Sequence, residues 1–198
     1  MATFTARIAE AMRSDVDEVL VVGHSSGAHL AVSILADVVR GGHAGTGGPR
    51  LSLLTLGQVI PMVSFLRGAT RLRADLNFLS QRDELDWVDV SAPGDGATFA
   101  LCDPVAVSGV APRTGQKHPL VVSAAFTQTL SEAKRKELGR RFFRLHFQYL
   151  CAFDQPGDYD YFRLTAGPRL LGDHFAHRGH SPSRKAEPVN RFTSMAAA

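Results

Sequence analysis

At 198 residues the chain is long enough to fold as one domain around a hydrophobic core, and 44% hydrophobic with 21% charged residues is the balance of an ordinary soluble protein. The net charge of +3 is mild, and the densest basic cluster (Lys134, Arg135, Lys136, Arg140, Arg141 and Arg144) is interleaved with Glu132, Glu137 and apolar positions. It reads as a solvated helix face, and no nucleic-acid partner is expected.

Two cysteines, Cys102 and Cys151, make neither a disulfide framework nor a zinc site. The N-terminus has no basic stretch followed by an apolar core, so no secretory leader is visible and the expected compartment is the cytoplasm. The longest apolar stretch, residues 51–66, is too short and too interrupted for a bilayer, so no integral membrane segment is expected.

Residues 2–14 carry Phe4, Ile8, Ala11 and Met12 at helical spacing and predict an amphipathic helix. After a polar turn, Val19-Leu20-Val21-Val22 is wholly apolar and predicts a strand buried on both faces, as in a parallel sheet. Residues 28–40 return to helical spacing, and a loose loop with five glycines and one proline fills 41–50. A second apolar strand covers 51–56 and closes at Gly57. Helical or irregular sequence over 58–82 leads to a third strand at Trp87-Val88-Asp89-Val90, then to a loop over 92–103. A fourth extended run covers 120–124. Over 131–150, Leu138, Phe142, Leu145 and Tyr149 have helical spacing. Phe143, Leu145, Phe147 and Tyr149 also alternate with period two, which leaves the end of this segment open between helix and strand. From His177 the chain is polar and proline-dotted, and 177–198 is expected to be a disordered tail. The alternation predicts an α/β fold with a mostly parallel sheet flanked by helices.

Between the first strand and its helix lies Gly23-His24-Ser25-Ser26-Gly27, the G-x-S-x-G pattern of a nucleophile elbow. A serine hydroxyl is a weak nucleophile until a base takes its proton and a sharp turn exposes its oxygen. The flanking glycines Gly23 and Gly27 permit that turn and a close strand–helix approach. Ser25 is then the nucleophile, with His24 beside it, and the backbone N–H of Ser26 at the helix start is an oxyanion donor.

An acid and a histidine are expected to follow in that order. Asp95 lies past the third strand in Pro93-Gly94-Asp95-Gly96, which is also good turn sequence in its own right. Asp103 is the competing acid, and Asp89 a weaker one. Of eight histidines, His24, His29 and His43 precede the acid, His118 precedes a strand, and His174, His177 and His180 fall near or in the tail. His146 remains as the base, although its large apolar neighbours also suit a core histidine. No cofactor and no metal are expected, the spacing of His174, His177 and His180 notwithstanding.

The elbow, Leu54-Thr55-Leu56-Gly57-Gln58, the strand leading to Asp95 and His146-Phe147-Gln148-Tyr149 together resemble the fungal-type lipase branch of the α/β-hydrolases over residues 15–150. With Asp158-Tyr159-Asp160-Tyr161-Phe162, the chain is also similar to the C-terminal half of uncharacterised bacterial α/β-hydrolases. Ser26 after the nucleophile and Gln58-Val59-Ile60-Pro61 depart from the lipase pattern. The resemblance implies further strands and a second oxyanion donor ahead of residue 1, hence a partial hydrolase-like domain over 1–176. It implies a serine esterase acting on a small-molecule ester or lipid-like substrate through Ser25, Asp95 and His146, with acyl transfer as a variant. A sheet lacking its first strands would expose an edge open to self-association. The competing expectation is a catalytically silent scaffold that uses that edge.

Overall fold

The computed structural model describes residues 1–45 and 47–196. Thr46, in the glycine-rich loop, and Ala197 and Ala198, at the end of the expected tail, lie outside the described residues.

Helix α1 (Ala2–Ala11) precedes strand β1 (Glu18–His24), helix α2 (Gly27–Arg40) and strand β2 (Arg50–Leu56). Short helices α3 (Ile60–Ser64) and α4 (Thr70–Leu79) lead to β3 (Leu85–Ser91), and α5 (Pro104–Val107) precedes β4 (Leu120–Ser123). Each pair of neighbouring strands is joined through a helical crossover, as parallel pairing requires. The sheet runs β1-β2-β3-β4 with every pair parallel, Val22 beside Leu54, Leu54 beside Val88 and Val88 beside Leu120. The protein is an α/β fold.

Period-two alternation along the strands divides the core. Leu51, Leu53, Leu85 and Trp87 face the helical layer of α2 and α4, whereas Leu54, Leu56, Val88 and Val90 face Phe126, Tyr149 and Tyr159. Reciprocal ion pairs tie α2 to α4: Arg40 to Asp75 at 2.6 Å and Arg71 to Asp37 at 2.6 Å.

Three expectations from sequence change. First, β1 is not buried on both faces. Residues 18–22 are only half-buried, because β1 is an edge strand of the sheet and β2 takes the central position. Second, the segment 131–150, open between helix and strand, contains no strand: helical pieces broken by a turn at 139–141 fill it, preceded by one more short helix. After α6 (Phe126–Thr129) come α7 (Glu132–Leu138), α8 (Phe142–His146) and a 3-10 turn (Phe147–Leu150). Helices α9 (Tyr161–Ala166) and α10 (Leu171–His174) follow.

Third, the expected disordered tail is tethered to the sheet and helices at several points over 177–196, although most of its residues are exposed. Ser181 covers the outer edge of β4, its N–H donating to the Val121 carbonyl and its Oγ accepting from the Ser123 N–H, both at 2.9 Å. The Asp103 N–H donates to the Lys185 carbonyl at 2.9 Å, and the Arg184 guanidinium pairs with the Asp103 carboxylate at 2.6 Å. Farther on, the buried Arg73 guanidinium donates to the carbonyls of Ser64, Leu66, Arg67 and Ser194. Several polar groups of the tail thus bond partners far away in sequence, both main-chain and side-chain.

Beneath the ends of β2 and β3 lies a buried polar chain. The Trp87 indole N–H donates to Thr55 Oγ1 at 3.1 Å, and the Thr55 hydroxyl donates to Asp89 Oδ1 at 2.6 Å. Asp89 is fully buried and its Oδ2 has no partner among the described residues. Burial pushes its carboxyl up to about 8, well above the unfolded aspartate range. The fold therefore binds a proton that the unfolded chain releases, and this contribution to stability is complete below about pH 4 and lost as pH rises through about 8. Thermal melts are expected to show wild type losing stability relative to Asp89→Asn as pH rises from about 4 to about 8, with no further relative loss above that. Parallel pH profiles of the two proteins would contradict a neutral Asp89.

Candidate active site

The turn after β1 is held at both ends by backbone bonds. The Ser25 N–H donates to the Leu56 carbonyl at the end of β2 at 2.9 Å, and the Ala28 N–H donates to the Ser25 carbonyl at 3.2 Å. Between them Ser25 adopts φ 54°, in the left-handed region that costs a residue with a Cβ on the order of 1–2 kcal/mol. Such strain persists only where the surroundings over-determine it. Part of that constraint is Gly23: a Cβ there would sit 2.8 Å from the Cα of Ala28, so only glycine lets β1 and α2 cross this closely. Gly27 differs, since a Cβ built on it meets nothing within 4 Å. Ser26 is the N-cap of α2 and is exposed, so its main chain stands at the positive end of a fourteen-residue helix.

Asp95 and His146 come from distant parts of the chain. The Pro93-Gly94-Asp95-Gly96 turn folds back through the Asp95 N–H, which donates to the Ala92 carbonyl at 3.0 Å. Asp95 Oδ1 accepts the Ala97 N–H at 3.0 Å. Its Oδ2 accepts the Nδ1–H of His146 at 2.7 Å, and both residues are buried, at 2% and 4% exposure. With the Nδ1 proton committed to the carboxylate, the neutral imidazole keeps its lone pair on Nε2.

His146 ends α8, and the 3-10 turn behind it is anchored by Tyr149. The Ala92 N–H donates to the Tyr149 hydroxyl at 3.0 Å, and the Tyr159 hydroxyl donates to the Tyr149 carbonyl at 2.6 Å. Burial raises both phenols above the usual tyrosine range. Because Ala92 also receives the Asp95 amide, one backbone corner fixes the acid's turn and the histidine's segment together.

The elbow meets this pair through His24. Its Nε2–H donates to the His146 carbonyl at 2.9 Å, its ring centroid lies 4.6 Å from that of His146, and Phe147 packs on its other contacts at 4.8 Å. Burial lowers the pKa of His24, which favours the neutral ring. Gly57, with φ 50°, lies against the same cluster: a Cβ there would come within 2.6 Å of Tyr149 Cε2 and 3.2 Å of His146 Cε1.

The other acids are occupied elsewhere. Asp103 caps α5, its Oδ1 accepting from the N–H groups of Val105 and Ala106 and its Oδ2 from Gln116 and Arg184. Asp89 lies in the Trp87–Thr55 chain on the opposite face of the sheet from Tyr149. Two tail-side histidines serve the backbone: His174 Nε2–H donates to the Asp158 carbonyl, and His180 Nδ1 accepts the Val121 N–H. Among the described residues no group of three His, Cys, Asp or Glu side chains is placed to hold a metal. The sequence places His24 only as a neighbour of Ser25. Its bond to the His146 carbonyl had no sequence signal, since the partners are 122 residues apart.

No protein-family model, curated protein or solved structure matches this chain.

The glycine geometry separates the two halves of the motif. Gly23→Ala is expected to destabilise the protein by roughly 1–3 kcal/mol through overpacking against Ala28. Gly27→Ala is expected to stay within about 1 kcal/mol of wild type, since alanine also favours a helix start over glycine. Urea unfolding of the two variants measures the difference, and equal effects would contradict the close crossing at Gly23.

Proposed function

We propose that this chain is a serine hydrolase of the α/β-hydrolase type that cleaves carboxylic esters through an acyl-enzyme on Ser25. The observation that carries the reading is the buried 2.7 Å bond from His146 to Asp95, which the elbow meets through the His24 bond to the His146 carbonyl, next to a serine whose backbone lies in the left-handed region. The G-H-S-x-G pattern and the order Ser25, Asp95, His146 along the chain support it further.

In this mechanism Ser25 Oγ attacks the ester carbonyl carbon as His146 Nε2 accepts the hydroxyl proton. Asp95 fixes the imidazole tautomer and stabilises the imidazolium that forms. The Ser26 N–H, favoured by the dipole of α2, donates to the developing oxyanion. Collapse breaks the ester C–O bond, and the leaving alkoxide takes the proton from His146. Water then attacks the acyl group, again losing its proton to Nε2, and releases the carboxylic acid and free Ser25. The substrate is an ester with an apolar acyl part.

A fluorophosphonate probe tests the proposal. Wild type is expected to be labelled on Ser25, with Ser25→Ala unlabelled and Asp95→Asn slowed by on the order of 10³–10⁴. Asp103→Asn is expected to label at the wild-type rate when folded. A folded wild type that takes no label sinks the hydrolase reading. A second reading, a silent scaffold, is favoured by one observation: β1 is an edge strand with its outer side unpaired by any described strand. It expects an unlabelled protein that self-associates in sedimentation and returns to a monomer when a lysine replaces Leu20.

A further inference from the structure

The segment that delivers His146 carries an unusual surface. Gly139 to Arg144 are six consecutive exposed residues, Gly139-Arg140-Arg141-Phe142-Phe143-Arg144, and Phe147 is exposed one turn later. Consecutive helical positions point about 100° apart. Three exposed neighbours in α8 therefore mean that the helix stands off the surface and buries only its Leu145–His146 side. Phe142 and Phe143 are 56% and 73% exposed, and their rings pack edge-to-face at 5.5 Å, so they project as one apolar wedge. Phe147 adds a third ring at 50% exposure. Large apolar side chains left in water beside one another mark a surface that another phase or molecule covers.

The charge around the wedge is one-sided. Six basic residues of α7 and α8 and their connection face two acidic ones, Glu132 and Glu137. Glu137 is shared, lying 3.0 Å from Lys134 and 3.8 Å from both Arg141 and Arg144. Phenyl rings flanked by long basic side chains are the composition of a segment lying in a membrane interface. There the rings enter the acyl boundary and the guanidinium groups remain among anionic headgroups. Single-stranded nucleic acid also combines cations with aromatic faces, but it stacks bases on open rings. Here the interplanar angle of 84° turns the edge of one ring onto the face of the other, which favours lipid.

We propose that α8 and its preceding Arg140-Arg141 turn dock the protein on an anionic phospholipid surface. The wedge is also close to the proposed site: a Cβ on Gly96, next to Asp95, would lie 3.5 Å from the Phe142 ring, and α8 itself ends in His146. Docking therefore brings the Asp95–His146 pair to the lipid face. Resting on the hydrolase reading, this makes the substrate an ester carried in that membrane.

Vesicle sedimentation tests the docking without any turnover, using phosphatidylcholine vesicles with and without phosphatidylserine. Wild type is expected to sediment with the mixed vesicles and far less with phosphatidylcholine alone. Arg140→Gln with Arg141→Gln is expected to weaken binding to the mixed vesicles by about 25-fold, at about fivefold per arginine. Phe142→Ser with Phe143→Ser is expected to weaken it by at least about tenfold through loss of apolar burial. All four positions are exposed, and circular dichroism checks that both variants fold. A wild type that does not sediment, or variants that sediment as well as wild type, overturns the proposal. So does capture of a single-stranded oligonucleotide by these residues in place of vesicles. Turnover of a short water-soluble ester separates the two readings. Both variants are expected to keep it, and its absence in wild type sinks the hydrolase reading while the vesicle result still decides the docking.

Discussion

The hydrogen bond between Asp95 and His146 joins two segments that nothing local holds together. One end is a tight turn leaving β3, and the other is the last residue of a five-residue helix 51 positions later. Both groups are buried, so neither is indifferent to the loss of the other. Removing His146 would leave a buried carboxylate oxygen of Asp95 without its donor, a desolvation penalty of about 1–3 kcal/mol or more. The rest of the cluster protects that bond. Ala92 receives the Asp95 amide on its carbonyl and offers its own N–H to Tyr149, so the acid turn and the histidine segment are built on one backbone unit. His24 then clamps the His146 carbonyl from the elbow side.

The strain at Ser25 has the same origin in packing. Its left-handed backbone is not an isolated defect, since the Leu56 carbonyl fixes the residue from β2 and the absent side chain of Gly23 lets α2 close over β1. The sheet supplies the alignment: parallel register carries the ends of β1, β2 and β3 to one rim, where Ser25, Gly57 and the Asp95 loop begin. The two edges of that sheet are treated differently. The tail covers β4 with Ser181, whereas β1 remains the unpaired rim among the described strands. The proposed chemistry and the proposed lipid surface converge through α8 at the rim where the strands end.

Features carried by neighbouring residues were legible in the sequence. Strand, glycine-flanked turn and helix around Ser25 are consecutive, and apolar runs with their turns give the four strands; their order in the sheet came only from the folded chain. Pro93-Gly94-Asp95-Gly96 announces its turn by its own composition. The partner choice between Asp95 and Asp103 was not legible, because both follow the third strand and only the folded chain shows Asp103 consumed by α5, Gln116 and Arg184. The edge position of β1 was hidden for a similar reason: an apolar run states that a strand has core contacts, not how many neighbours the sheet gives it. At 143–149, period two and helical spacing coincide because both faces of this short segment carry large rings, one set buried and one set exposed. The tail misled most directly, since hydrogen bonds from Arg73 and Asn190 to distant carbonyls leave no pattern in composition.

The proposed chemistry turns on which nitrogen of His146 holds the proton. Two-dimensional proton–nitrogen NMR of the histidine rings measures this directly in the neutral protein. The expected result is His146 as the Nδ1–H tautomer, bonded to Asp95 with Nε2 unprotonated, and His24 as the Nε2–H tautomer bonded to the His146 carbonyl; Asp95→Asn should disturb the first and spare the second. A His146 ring carrying its proton on Nε2 in the wild-type protein would contradict the account, since no lone pair would then be left to take the proton of Ser25.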